Sequence, residues 1–133
     1  MTELEYVKGI LTAGGYHFLL CRGEVVYTGE GNTTAELLET VKLQEDWQDG
    51  YCAAEVFGKA DALLCVLLGL SGVYASLMSK SALRVLEKHG IAYQYQTLTP
   101  HLLNKEKTGL IPTEQAVRDI DDPQEALTYL FMS

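Results

Sequence analysis

Basic residues are scarce in this chain of 133 residues: ten Lys and Arg stand against eighteen Asp and Glu, a formal net charge of -8. The acidic side chains are spread along the whole length. No basic face is left to neutralise a phosphate backbone, which argues against a nucleic-acid partner. Cysteine is also sparse, with three residues at positions 21, 52 and 65. An odd number cannot all pair, and no two have the C-x-x-C spacing of a zinc or redox site, so reduced thiols in a cytoplasm are expected. Long hydrophobic runs are missing too. The apolar stretch from Leu63 to Leu70 is too short to span a bilayer, and no basic segment leads into an apolar core at the start, so no membrane partner is expected. His17, His89 and His101 fall in separate elements without H-x-x-x-H spacing. What is present, 47% hydrophobic and 21% charged residues, suits one globular domain over 1–133 with a real core.

Local patterning gives the order of elements. Thr2-Glu-Leu-Glu5 has the form of a capping box, predicting a helix over about 2–14 that stops at Gly14-Gly15. The stretch HFLLCRGEVVYTG holds two apolar, β-branched or aromatic runs around Arg22-Gly23 and predicts a hairpin. Thr33-Thr-Ala-Glu36 repeats the capping box ahead of Leu37, Leu38 and Val41, so a second helix is expected to end near Glu45. From about Cys52 to Leu70 the nearly continuous apolar sequence predicts one long central helix burying Leu64 and Leu67. VYASLM then suits a buried strand, and Ser79 opens a helix with Ala82, Val85, Leu86 and His89 on one face, stopped by Gly90. IAYQYQTL alternates as a strand does, with Tyr93 and Tyr95, like Tyr74, read as sheet residues. A polar loop after Pro100 leads to a short helix from about Thr113. Asp122-Pro-Gln-Glu125 caps a last helix. Strand-helix-strand crossovers of this kind predict a three-layer α/β/α sandwich around a mixed sheet of about four to five strands.

Two segments stand out as candidates for function. In the expected long helix, Glu55 and Lys59 would lie four residues apart, the spacing of an ion pair, while Gly58 inside a helix would need a reason such as close approach of a backbone or ligand. Cys52 at that helix start could have a lowered pKa, but no base partner is legible. The second segment runs from Asn104 to Glu114. It carries polar donors in Asn104, Lys105, Lys107 and Thr108, a flexible Gly109, and Pro112 suited to a helix entry. Ligands of open α/β sheets collect at the carboxyl ends of strands and at helix N-termini. Both segments are expected to converge there, with Lys59, Asn104 and Thr108 as donors, Gly58 and Gly109 allowing close approach, and Glu55 or Glu114 as acceptor.

Three stretches together, AAEVFGKADALL, VYASLMSKSALRVLEKHGI and LLNKEKTGLIPTEQAVRDIDDPQEA, resemble a small prokaryotic family, domain of unknown function DUF1893. The resemblance covers roughly residues 16 to 128. It implies a cytidine-deaminase-like fold without the deaminase zinc site. The family's usual acidic residue is replaced here by Ala54, and its Cys before the proline by Ile111. Zinc deaminases carry H-x-E at one helix start and P-C-x-x-C at the next. The corresponding places here read Ala53-Ala54-Glu55 and Ser79-Lys80-Ser81-Ala82, so neither a catalytic metal nor another cofactor is expected. The resulting expectation is a cytoplasmic small-molecule binding or regulatory module for a small polar or anionic metabolite, a nucleotide among the options. A metal-independent enzyme using Lys59, Glu55 or Glu114 is the alternative, as is a protein-interaction subunit; self-association stays open.

Overall fold

The computed structural model describes residues 2–29 and 31–132. Helix α1 (Glu3–Gly14) starts as its capping sequence requires, with Thr2 Oγ1 accepting from the Glu5 amide at 3.1 Å. Gly15, at φ +67°, closes it in the left-handed region that glycine tolerates. Strands β1 (Phe18–Arg22) and β2 (Val25–Gly29) form the expected hairpin, with Gly23 at φ +59° in the turn. Helix α2 (Thr33–Lys42) is capped one residue earlier than the Thr33 box implied. Asn32 Oδ1 accepts from the Thr34 and Ala35 amides, because an Asn side chain on extended backbone just before the helix can reach both free amides.

The expected long helix from Cys52 to Leu70 does not exist. Its first part is strand β3 (Tyr51–Phe57), and helix α3 runs only from Lys59 to Leu68. The physical reason is the place of β3 in the sheet. It pairs with β1 on one edge and β4 on the other, and layers cover both its faces, so Cys52, Ala53 and Ala54 are all fully buried. A strand buried on both faces shows no polar alternation and reads like a buried helix. Gly58, extended at φ -114° and ψ -174°, separates the two elements as the N-cap of α3. Leu64 is fully buried at the centre, whereas Leu67 is only partly covered.

Strand β4 (Gly72–Ser79) follows α3, then helix α4 (Lys80–Lys88), with Ser79 Oγ accepting from the Ala82 amide. Ala82, Val85 and Leu86 form its buried face; His89, expected on that face, is the C-cap and lies exposed. Strand β5 (Ala92–Thr99), the short helix α5 (Pro112–Ala116) and helix α6 (Pro123–Met132) complete the order. Asp122 Oδ2 accepts from the Glu125 amide, the predicted cap of α6.

The five strands form one mixed sheet in the order β2-β1-β3-β4-β5. β1 is antiparallel to both neighbours, while β3, β4 and β5 are parallel, joined through α3 and α4. Three unequal layers result. Val7 and Leu11 of α1 meet Leu19, Cys21, Ala53 and Tyr74 on one face of the sheet. On the other, α2, α3, α4 and α6 bury the larger core around Phe18, Leu37, Leu64, Leu86 and Leu130. The architecture is the expected α/β/α sandwich, with five strands. No helix among the described residues is long and apolar enough to cross a membrane. Because three strands run parallel, the starts of α3 and α4 and the segment after β5 gather at one end of the sheet.

Candidate functional site

The first turn of α3 leaves amides without intrahelical partners, and a carboxylate far away in sequence satisfies two of them. Glu114 on α5 is buried; its Oε1 accepts from the Lys59 amide at 2.7 Å and its Oε2 from the Ala60 amide at 2.9 Å. A side chain on residue 58 would collide with this carboxylate, so the close approach expected at Gly58 is real, but its cause is Glu114. Asp61 closes the turn from the other side. Its Oδ2 accepts from the Gly58 amide at 2.8 Å and its Oδ1 from the Thr34 hydroxyl at 2.5 Å. Burial pushes the Asp61 carboxyl up to about 7, against the lowering effect of those two bonds, and the neighbouring Glu114 charge adds to the rise.

Lys59 is also nearly buried. Its Nζ donates to the Arg118 carbonyl at 3.0 Å and lies 3.1 Å from Asp121 Oδ1, an ion pair that holds the exposed Asp121 carboxyl below its usual range. The helix-face pair of Glu55 with Lys59 is therefore not formed. Glu55 stands on β3, and its Oε2 meets His17 Nδ1 at 2.8 Å because β1 and β3 run antiparallel and bring residue 17 opposite residue 55. Cys52 is likewise on a strand and fully buried, away from any helix start. Burial, with a hydrogen bond to Cys52, pushes the nearby Cys65 thiol well above its usual pKa. That environment suits an inert thiol.

The segment after Pro100 folds back on itself. Leu103 bridges Leu110, the Asn104 amide donates to the Gly109 carbonyl at 3.0 Å, and the Ile111 amide donates to the Leu102 carbonyl at 3.1 Å. Asn104 and Thr108 lock the tip through two 3.1 Å bonds, Asn104 Nδ2 to Thr108 Oγ1 and the Thr108 amide to Asn104 Oδ1. This flap covers one side of a cleft of about 570 Å³ between it, α4 and α5. Lys59, Thr108, Gly109 and Glu114 line the cleft together. Asn104 and Pro112 do not; the first supports the flap tip and the second starts α5. Glu55 lines a separate hollow of about 310 Å³ with His17, Thr34 and Asp61, beyond the shared wall of Leu102.

Arg84, His101 and Arg118 also line the cleft, although nothing in their local pattern singles them out. Arg84 lies on the solvent side of an amphipathic helix and Arg118 just past a five-residue helix, so each reads as an ordinary solvated charge. A positive residue on the outer face of a helix opening after a parallel strand was the available signal. Among the described residues, neither guanidinium is within ion-pair distance of a carboxylate. The places compared above with the deaminase H-x-E also shift. Residues 53–55 are strand, and the helix start that follows reads Lys59-Ala60-Asp61, without histidine.

No curated protein matches the chain. A crystal structure of a DUF1893 family protein from Thermotoga maritima superposes with a TM-score of 0.86 at 21% identity, covering 97% of this chain and 88% of that one. At that identity the likeness speaks for the fold. The family model, described as domain of unknown function (DUF1893), matches residues 6–132, which takes in most of α1 as well as the stretches that carried the sequence resemblance. With its strands, crossovers and flap all inside the matched region, the chain belongs to the DUF1893 family.

Proposed function

We propose that this protein is a binding or regulatory module for a small anionic metabolite, nucleotides included, built on a deaminase-like scaffold that has no catalytic zinc. One observation carries the reading. The cleft lies at the carboxyl end of the parallel strands, and Lys59, Arg84 and Arg118 face only Glu114 and Asp119 there, in a chain whose overall charge is -8. An acidic protein gains little from grouping cations unless something negative occupies the space between them. The scaffold is supported by helices α3 and α4 opening after parallel strands, as the resemblance implies. At both helix starts the residues are Lys, Ala, Ser and Asp rather than the His and Cys of a zinc site.

The metal-independent enzyme alternative fits less well. Lys59 and Glu114, two of its three candidate groups, already have their main partners inside the protein, and Glu55 is half exposed beyond Leu102. A general acid or base needs a free position toward substrate.

Native mass spectrometry of protein purified without denaturation tests the proposal, together with thermal melts against a panel of phosphorylated, carboxylated and uncharged metabolites. A copurifying small mass, or a panel member that raises the melting temperature, is expected, and Thr108→Trp, which places bulk in the cleft from an exposed position, should abolish the effect. Protein that emerges unliganded and is unmoved by every panel member would end the reading.

A further inference from the structure

The positive groups of the cleft differ in how far they are already used. Two of the three Lys59 ammonium donors are engaged by the Arg118 carbonyl and Asp121. Both Glu114 oxygens are held by α3 amides, so its charge is answered by the helix. That leaves Arg84 and Arg118, exposed and without a carboxylate partner among the described residues, with Asp119 as the remaining acidic residue of the cleft lining. The two arginines and Lys59 also line a second hollow of about 250 Å³ adjoining the first, which adds Lys88, His89 and Asp121, the last already paired with Lys59. The guanidiniums therefore stand where two hollows meet, with Lys59 and Lys88 as the neighbouring cations. Ser81, in the first turn of α4, shares that position; its hydroxyl lies 3.1 Å from the Ser79 hydroxyl, and by accepting from it Ser81 keeps its own O–H for an anion. On the flap side the larger cleft is mixed, with Pro100, Leu102, Leu103 and Leu110 supplying apolar surface beside His101 and Thr108.

Resting on the binding reading above, we infer that the cleft takes a phosphate monoester: Arg84, Arg118 and Ser81 hold the phosphate, and the flap side packs an apolar or aromatic body. Arginine is the side chain suited to this because its planar fork gives two parallel N–H bonds to one anion, where a lysine gives a point charge. A dianion matches two unneutralised guanidiniums better than a single carboxylate does. The same arrangement explains why an acidic chain tolerates the cluster: attraction is local and short-ranged, so it selects a small ligand over a polyanion, which the surrounding negative field repels. A volume of about 570 Å³ is within the range of pockets that enclose a metabolite-sized ligand.

The test is a titration of ¹⁵N-labelled protein at constant ionic strength with inorganic phosphate, phenyl phosphate and phenol. Saturable shifts are expected at the Arg84 and Arg118 Nε–H signals and at the Ser81 and Gly109 amides, with phenyl phosphate binding more tightly than phosphate and phenol not saturating. Arg84→Gln and Arg118→Gln should each weaken phenyl phosphate by about tenfold, the size of one lost charge-assisted bond, and Arg84→Lys should recover only part of the loss. Unchanged peak dispersion elsewhere verifies that the variants are folded. Shifts that stay linear, that map to Lys105, Lys107 or Lys42, or that survive both glutamine variants overturn the inference. Should the metabolite found by native mass spectrometry contain no phosphate, the phosphate assignment falls while the cleft reading stands.

Discussion

Lys59 and Arg84 line the same cleft and carry the same charge, yet they belong to two regions with opposite economies. In the first turn of α3, Gly58, Lys59, Asp61 and Glu114 are buried and each polar group has a partner within the fold. On the rim, Arg84, His101, Thr108 and Arg118 are exposed, and the guanidiniums lack carboxylate partners among the described residues. A buried polar group without a partner costs stability, so the first region is held by the folding requirement itself. Exposed charges contribute little to stability, so the rim is free to serve a ligand. Being polar and lining a cleft is thus no sufficient mark of a binding role. Whether the group is already satisfied decides it.

The largest expected break of this contrast is in the pH dependence of Asp61. Its folded pKa, about 7, lies above the ordinary 3.8, so between those values the folded state holds a proton that the unfolded chain releases. The contribution to stability is therefore full below about pH 4 and is lost as pH rises through 7. The shift corresponds to as much as about 4 kcal/mol. Asp61→Asn, which can still accept from the Gly58 amide, should remove this fall, and urea unfolding at pH 5 and pH 8 checks it. Equal pH profiles for the variant and the wild type would show that the group is not desolvated in this way.

Next in size is Glu114→Ala. Losing both acceptors leaves the Lys59 and Ala60 amides unpaired at a buried helix start, a cost of about 2 to 4 kcal/mol in chemical denaturation. Gly58→Ala attacks the same contact from the opposite side. The added methyl group must displace the Glu114 carboxylate, at a cost of about 1 to 3 kcal/mol. By contrast, Thr108→Ala on the flap tip should change stability by no more than about 0.5 kcal/mol, read from the same unfolding curves. Lys59 is the intermediate case, since its nearly buried ammonium ties α3 to the segment after α5 through the Arg118 carbonyl and the exposed Asp121. Replacing it would alter stability as well as any ligand contact.

Most elements were legible because their signals are local. The caps at Thr2, Ser79 and Asp122, the turn at Gly23 and the stop at Gly90 all depend on residues within a few positions of each other. The central strand was not, because Cys52, Ala53 and Ala54 are buried from both sides and carry no polar alternation. That single misreading moved Glu55 onto the wrong partner and put Gly58 inside a helix. The convergence of the α3 start with the 104–114 segment was legible all the same, since it follows from where parallel strands end. Glu114 as the cap of α3 could not be read, because a contact spanning 54 and 55 residues leaves no trace in spacing. Arg84 and Arg118 were hidden for the opposite reason: an exposed arginine with a purpose has the same sequence pattern as one without.

The division between satisfied scaffold and available rim is tested most directly by measuring unfolding free energies of Glu114→Ala and of the Arg84→Gln/Arg118→Gln double variant in one buffer without added ligand. The double variant should lie within about 1 kcal/mol of the wild type, two surface changes of about 0.5 kcal/mol each, while Glu114→Ala falls well below both. A double variant as unstable as Glu114→Ala would place the arginines in the scaffold and contradict the account.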